Sequence, residues 1–263
     1  MKVATAQLDG PNAEDRVVAT ATGLIVLDGA TAHESGTPPA TNYVDHLGRE
    51  LAQRLDDDVP LSDVLRASIS ATAQSLDLRP GQSPSSTVVL LRGAQDGVDV
   101  LVLGDSAAVV GLRDGSQVSI LDDRIDRLSI PEATEYRARL ARGTGFDTRH
   151  RELLERVQRQ ERVRRNRTGG FWIAEADPDA ADHAIINTYP REIFAWAVAA
   201  TDGAFDPLTA LGISWCDIAA HTSEQLQQDL HQCSYWERTV DPKGQARPRS
   251  KRHDDKTLAV LRT

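Results

Sequence analysis

Three apolar runs of the chain each deliver an aspartate followed by a small residue. "GLIVLDGA" ends on Asp28 and Gly29, "VDVLVLGDS" on Asp105 and Ser106, and "IFAWAVAATDG" on Asp202 and Gly203. Any one of these aspartates reads most simply as a turn residue, a common use of that side chain after a strand. The set reads differently. "NAEDR" places Glu14 and Asp15 directly before the run "VVATATG", and "HDDKTLAV" places Asp254 and Asp255 directly before the closing run. Hard divalent cations such as Mg²⁺ and Mn²⁺ take oxygen ligands, mostly carboxylates and water. A carboxylate cluster without a cation repels itself and is forced to hold protons. Acidic groups at five strand boundaries, three of them followed by a small residue that admits a close neighbour, make a shared metal site the better account. The chain has no GxSxG and no Cys-x5-Arg loop, so covalent hydrolytic chemistry on Ser or Cys is disfavoured.

The elements that must position these groups alternate irregularly. "RVVATATGLIVLDGA" reads as two short strands about a Thr-Gly turn. Helices follow over about 42–57, with Val44, Leu47, Leu51 and Leu55 as the apolar stripe, and over about 61–76. After the break "RPGQSPSS", four β-rich runs separated by Gly and Asp turns signal antiparallel pairing. Residues 132–165 read as polar helix and "TGGFWIAEADP" as a strand. "EIFAWAVAATDG" reads as a buried strand, about 215–231 as a helix and "KTLAVLRT" as the last strand. This order predicts a layered α/β sandwich rather than a doubly wound sheet. No GxGxxG follows the first strand, and the P-loop pattern is absent.

The composition, 40% hydrophobic and 26% charged over 263 residues, is that of a globular domain. No apolar stretch approaches the ~20 residues needed to cross a bilayer. The opening "MKVATAQLDG" lacks the basic and apolar regions of a secretory leader, and the two cysteines, Cys216 and Cys233, have no metal-site spacing. A cytoplasmic, reduced protein without membrane association is expected. The net charge of −9 argues against nucleic acid as a partner. One segment runs against that average. Residues 135–167 hold eleven Arg against five Asp or Glu.

Taken in order, "NAEDR", "VLDGAT", "LGDSA", "ATDGAFD" and "DDKT" resemble the motif series of the metal-dependent protein phosphatases of the 2C type, over about residues 10–262. The resemblance implies a single domain over 1–263: a four-layer αββα sandwich of two mainly antiparallel sheets with the metal site at the strand ends between them. It implies a variable flap at about 130–170, here basic and helical. It further implies two or three Mn²⁺ or Mg²⁺ ions. Asp28 would bridge two of them with the Gly29 carbonyl facing one, and Asp202 and Asp254 would hold the second. Glu14 would reach a metal through water, and Asp105 would join Asp202 at a third. Asp15 and Asp255 would orient the ligands, Asp255 standing where the family has Asn. The activity implied is hydrolysis of phosphoserine and phosphothreonine on proteins by water activated between two metals ~3.5–4 Å apart.

The chain departs from the pattern in three places. The family's phosphate-binding Arg falls at Gly10, and Ala13 is inserted between Asn12 and Glu14. Ala30 stands where some relatives carry a His suited to proton donation; His33 follows three residues later. Losing a bidentate guanidinium should weaken phosphate binding. Arg16 or an arginine of the basic segment are the candidate replacements. Alternatives therefore stay open: a pseudo-phosphatase acting as a binding module, or a phosphatase for a small phosphorylated metabolite. For the basic segment the leading readings are a solvated helix with pairs such as Glu152 with Arg156, and a docking surface in which Arg159, Arg162, Arg164 and Arg165 receive an acidic or phosphorylated partner. Nucleic acid is a third, disfavoured because no aromatic pattern interleaves the arginines. The loop "DPKGQARPRSKRH" reads as a flexible basic segment beside Asp254.

Overall fold

Period-two alternation decides the architecture. In strand β3 (Gly23–Ala30), Leu24 and Val26 point to one side and Ile25 and Leu27 to the other, and all four are fully buried. A strand buried on both faces needs cover on both, and the chain supplies it as two sheets between two helical layers. The computed structural model describes residues 1–31 and 37–263.

One sheet joins β2 (Asp15–Ala19), β3, β4 (Ser85–Gly93), β5 (Gly97–Leu103) and β8 (Ile185–Pro190) in that spatial order. The other joins β1 (Lys2–Leu8), β10 (Lys256–Arg262), β9 (Phe194–Ala200), β6 (Ala107–Leu112) and β7 (Gln117–Leu121). Neighbouring strands are antiparallel throughout. Leu24, Val26, Val89 and Val100 of the first sheet meet Ala108, Val110, Ala199 and Leu261 of the second, forming the core between the sheets. The outer face of the first sheet packs on α1 (Ala40–Arg54) and α2 (Leu61–Ser75). The outer face of the second packs on α5 (Asp202–Leu211), α6 (Trp215–Ala220) and α7 (Ser223–Thr239). This is the αββα sandwich that the sequence implies.

Between β7 and β8 stand α3 (Pro131–Ala141) and α4 (Thr148–Arg164), which share a small core of Ile130, Tyr136, Leu140, Leu153 and Val157. The single polar helix expected over 132–165 is thus two. "RGTGFD" breaks it: Gly143 and Gly145 take positive φ, and the Asp147 carboxylate accepts from His150 N at 2.8 Å to cap α4. A similar cap divides the expected 215–231 helix, where Thr222 and Gln225 form a reciprocal capping box. Strands β1 and β8 and helix α5 were not expected from pattern. "TGGFWIAEADP" forms only isolated bridges, at Phe171 with Arg165 and Ala174 with Ser86.

Candidate active site

The strands bring the acidic motifs to one end of the sandwich. Asp15 and Asp28 are cross-strand partners in β2 and β3, and Asp28 pairs on its other side with Thr87 of β4. Asp105 lies in the turn from β5 to β6, Asp202 opens α5 just after β9, and Asp254 and Asp255 immediately precede β10. Asp28, Gly29, Asp105, Asp202 and Asp254 line one cavity of about 360 Å³. Thr31, Ser85 and Thr87 add hydroxyls to its wall.

Close approach explains the small residues. A Cβ on Gly29 would stand 2.8 Å from the Glu14 carbonyl oxygen, and one on Gly203 would stand 2.0 Å from that of Asp255. Any side chain at either place would push apart the loops that carry the carboxylates. Ser106, after Asp105, is fully buried and bonded to Thr87 Oγ1 at 2.5 Å, locking the turn against β4.

The electrostatics are those of a cluster short of positive charge. Withdrawal from water, followed by repulsion from Asp15, Asp202 and Asp254, raises the Asp28 pKa well above the carboxylate range. Burial raises Asp105 to about 8, with Asp202 adding repulsion. Burial and then Asp254 raise Asp202 to about 6, although its side chain lies within hydrogen-bonding reach of Asp28. Lys251 is the cation that acts on Asp28 and Asp202, and its Nζ donates to Asp254 Oδ1 at 2.7 Å. Attraction by Asp254, Asp28 and Asp202 outweighs its desolvation and raises its pKa. As they stand, no three described side chains from His, Cys, Asp and Glu converge tightly enough to ligate one ion. The donor set nevertheless suits a hard divalent cation: oxygen ligands alone, partly desolvated and protonated for want of charge compensation.

Glu14, Asp15 and Asp255 stand behind the cavity wall. The Glu14 carboxylate accepts from Asn12 Nδ2 at 3.3 Å and from the Thr31 hydroxyl. Asp15 Oδ2 accepts from Thr201 Oγ1 at 2.9 Å and Thr257 Oγ1 at 2.8 Å, while its buried Oδ1 has no partner. Burial is the main cause of an Asp15 pKa near 8. Asp255 accepts from Gly10 N and from Glu14 N at 2.6 Å. The two backbone donors meet different oxygens, Oδ1 and Oδ2, and a carboxylate offers two acceptor oxygens where an amide offers one. The inserted Ala13 is accommodated at φ 53°.

Gly10 and Asp255 are matched departures, because a Cβ on Gly10 would stand 2.8 Å from Asp255 Oδ1. Arg16 does not replace the missing arginine; it pairs with Asp45 at 2.5 Å and donates to the Ala13 and Asp15 carbonyls. Ala30 lines the cavity, and His33 lies outside the described residues.

The four docking arginines part company. Arg162 and Arg165 line the cavity; Arg159 is exposed, and Arg164 turns back onto Gln160, with Nη1 2.7 Å from Oε1. Among the described residues Glu152 pairs with Arg149 at 3.2 Å, not with Arg156. The basic loop before Asp254 is pinned rather than loose. Its organiser is the buried Asp241, which accepts from the backbone of Gln245, Ala246 and Arg247 and from Arg249 Nη1 at 2.7 Å. Lys251 is the functional residue hardest to see in the sequence. The basic loop signals positive charge near Asp254, but not which cation enters.

The family model described as protein phosphatase 2C matches residues 10–233. The chain belongs to the protein phosphatase 2C family. Members are metal-dependent serine/threonine protein phosphatases, so the chain is a hydrolase of that class. Solved structures show the same fold at low identity. The serine/threonine phosphatase Stp1 from Staphylococcus aureus is 13% identical, with TM-score 0.59 over 100% of this chain and 94% of that one. The Mycobacterium tuberculosis serine/threonine phosphatase PstP/Ppp is 20% identical, with TM-score 0.56 over 98% and 97%. The catalytic domain of PstP in complex with two manganese ions is 19% identical, with TM-score 0.54 over 98% and 96%. No curated protein sequence matches. No helix among the described residues is long and apolar enough to cross a membrane.

Proposed function

We propose that this phosphatase hydrolyses phosphoserine and phosphothreonine monoesters on cytoplasmic proteins, with two Mn²⁺ or Mg²⁺ ions held by Asp28, the Gly29 carbonyl, Asp202 and Asp254. The reading extends to a single catalytic domain over 1–263, with α3 and α4 as its flap. Glu14 contributes through water, and Asp105 with Asp202 offers a place for a third ion. When bound, the ions supply Lewis-acid chemistry, acidifying a water nucleophile and neutralising charge on the phosphoryl oxygens. The observation that carries the reading is the convergence of Asp28, Asp105, Asp202 and Asp254 from four separate chain segments on one cavity.

The remaining side chains hold that arrangement. Asp15 gathers Thr201 and Thr257, fixing the entries to α5 and β10 on which Asp202 and Asp254 depend. Asp255 ties the segment carrying Glu14 to the same place. Lys251 gives the cluster a positive charge that an incoming cation replaces.

Gly10 and Ala30 support a second reading, a binding module of low activity, because neither can contact phosphate through a charged side chain or donate a proton. One assay separates the two. Purified protein is given p-nitrophenyl phosphate and a phosphoserine peptide, with Mn²⁺ and with EDTA. Mn²⁺-dependent release of phosphate from both is expected; none from either supports the binding module. Turnover confined to small phosphomonoesters points to a metabolite phosphatase.

A further inference from the structure

We propose that Arg165 is a specificity residue that binds an acidic side chain of the substrate, three or four residues from the phosphorylated one. The proposal rests on the phosphatase reading above.

Arg165 follows α4 directly and lines the same cavity as the aspartates. It is half-buried, its Nη1 donates to the Ser83 carbonyl at 3.3 Å, and its buried Nε has no partner. Three other arginines of this region spend their charge locally. Arg137 bonds Asp126 at 3.0 Å, Arg139 bonds Asp147 at 2.7 Å and Arg149 bonds Glu135 at 2.9 Å. Among the described residues Arg165 forms no ion pair. Glu175 attracts it, but that carboxylate already accepts from Gly81 N and Ser83 Oγ. Glu161 lines the same cavity without bonding Arg165, and burial favours its neutral form. A partly desolvated guanidinium that lines a cavity without an ion-pair partner is suited to receive a carboxylate from outside.

The chain path into β4 sets the scale of the distance to the chemistry. Ser83, which holds the Arg165 guanidinium, is four residues before Thr87, and Thr87 pairs with Asp28. At ~3.3 Å per residue this puts the backbones of Ser83 and Thr87 roughly 10–13 Å apart. One phosphoryl group cannot touch both. An extended peptide covers that distance in about three or four residues. Arg165 therefore does not replace the arginine absent at Gly10; it reads a second anionic group. Much of the remaining wall, including Leu128, Ile130, Val157, Phe171 and Ile173, is apolar and accepts the residues between.

The test compares phosphoserine peptides that carry one Glu at successive positions on either side with the same peptides carrying Gln. With Mn²⁺ present, kcat/KM for wild type should be roughly 10-fold higher for Glu three or four residues away, as one charge-assisted contact allows. Arg165→Met should erase the Glu-to-Gln ratio, Arg165→Lys should keep part of it, and the exposed Arg156→Met should keep all of it. Should Arg165→Met fail to fold, Arg165→Gln retains a donor for Ser83 and reads the same loss. A wild-type ratio within twofold at every position, or a ratio that survives in the Met or Gln variant, overturns the proposal. Failure of the phosphatase reading shows separately, as no Mn²⁺-dependent turnover of p-nitrophenyl phosphate. In that case fluorescence anisotropy of the same peptide pairs, with the same variants, decides whether Arg165 binds the acidic side chain.

Discussion

The two charged regions of this molecule use their charge in opposite ways. The acidic end has few groups, rooted at strand ends, and leaves them without enough positive charge nearby. The α3–α4 region has many arginines, rooted on helices, and neutralises part of that charge in pairs such as Arg139 with Asp147 and Arg149 with Glu135. Strand ends are fixed by two neighbouring strands, so like charges placed there cannot relax apart; long side chains on a helix surface turn toward whatever opposite charge is near. Charge count is therefore a poor guide to where chemistry happens. Uncompensated charge on a rigid support is a better one.

The largest expected effect breaks the acidic end. Asp28→Asn or Asp202→Asn should lower Mn²⁺-dependent turnover of p-nitrophenyl phosphate by about 10³-fold, since Lewis-acid stabilisation is worth several kcal/mol. Both variants should remain folded, and the metal-free proteins should melt above wild type because a buried carboxyl group in a mutually repelling cluster is gone. Full activity in both would sink the two-metal account.

Next is proton linkage at the same end. Asp15, Asp28, Asp105 and Asp202 have folded-state pKa values above the carboxylate range, Asp15 and Asp105 near 8. Between pH ~4 and ~8 the folded state thus binds more protons than the unfolded state, so stability falls as pH rises. The metal-free protein should lose a few degrees of Tm per pH unit for each extra proton held. Saturating Mn²⁺ should flatten or reverse this slope, because a metal competes with protons for the same oxygens. Calorimetry from pH 5 to pH 8 reads it; a metal-free Tm that rises with pH contradicts the charge assignment.

Gly10→Arg tests the matched departures. Its Cβ would meet Asp255 Oδ1 at 2.8 Å and Asp255 N at 2.9 Å, and its N–H already serves Asp255. Overpacking of this kind costs ~1–3 kcal/mol, or about 2–12 °C in Tm at this chain length. Restoring the family's residue should therefore lower stability without improving KM. A lower KM with unchanged Tm would show that the segment adapts.

Lys251→Met asks whether the cation held at Asp254 competes with metal. An exposed ion pair is worth ~0.2–1 kcal/mol, so Mn²⁺ affinity measured by calorimetry should improve by roughly 2- to 5-fold. Weaker Mn²⁺ binding would make Lys251 a support of the site. The smallest effect lies on the other side of the comparison. Arg159→Glu with Arg164→Glu should alter stability by no more than ~0.5 kcal/mol and phosphopeptide turnover by less than twofold. A larger loss of turnover would return these arginines to the docking surface.

How much of this is legible in the sequence differs by feature. Asp28, Asp105, Asp202 and Asp254 can be picked out because apolar runs ending in Asp and a small residue are a local pattern. Strands β3, β4, β5 and β9 are legible because fully buried strands carry long apolar runs. Strand β1 is not, since Lys2, Thr5 and Gln7 dilute its pattern and antiparallel pairing with β10 supplies its stability. Helix α5 is hidden behind the motif that opens it. The breaks within the two divided helices escape notice because periodicity continues across a cap, whereas the cap itself rests on single side chains, Asp147 and Thr222.

By itself the sequence determined the layered fold, the acidic groups and their order, because alternation and strand-end residues are properties of neighbours in the chain. Tertiary structure alone decided that Asp255 is held by Gly10 and Glu14, that Arg16 is occupied by Asp45, that Lys251 reaches Asp254, and that Arg165 lines the cavity with its buried Nε unpartnered. The first two unite residues far apart in sequence. The third depends on how Asp241 folds the basic loop, and the fourth is the absence of a partner. No local pattern encodes which charges end up close enough to cancel, and cancellation is what separates a reactive group from a solvated one.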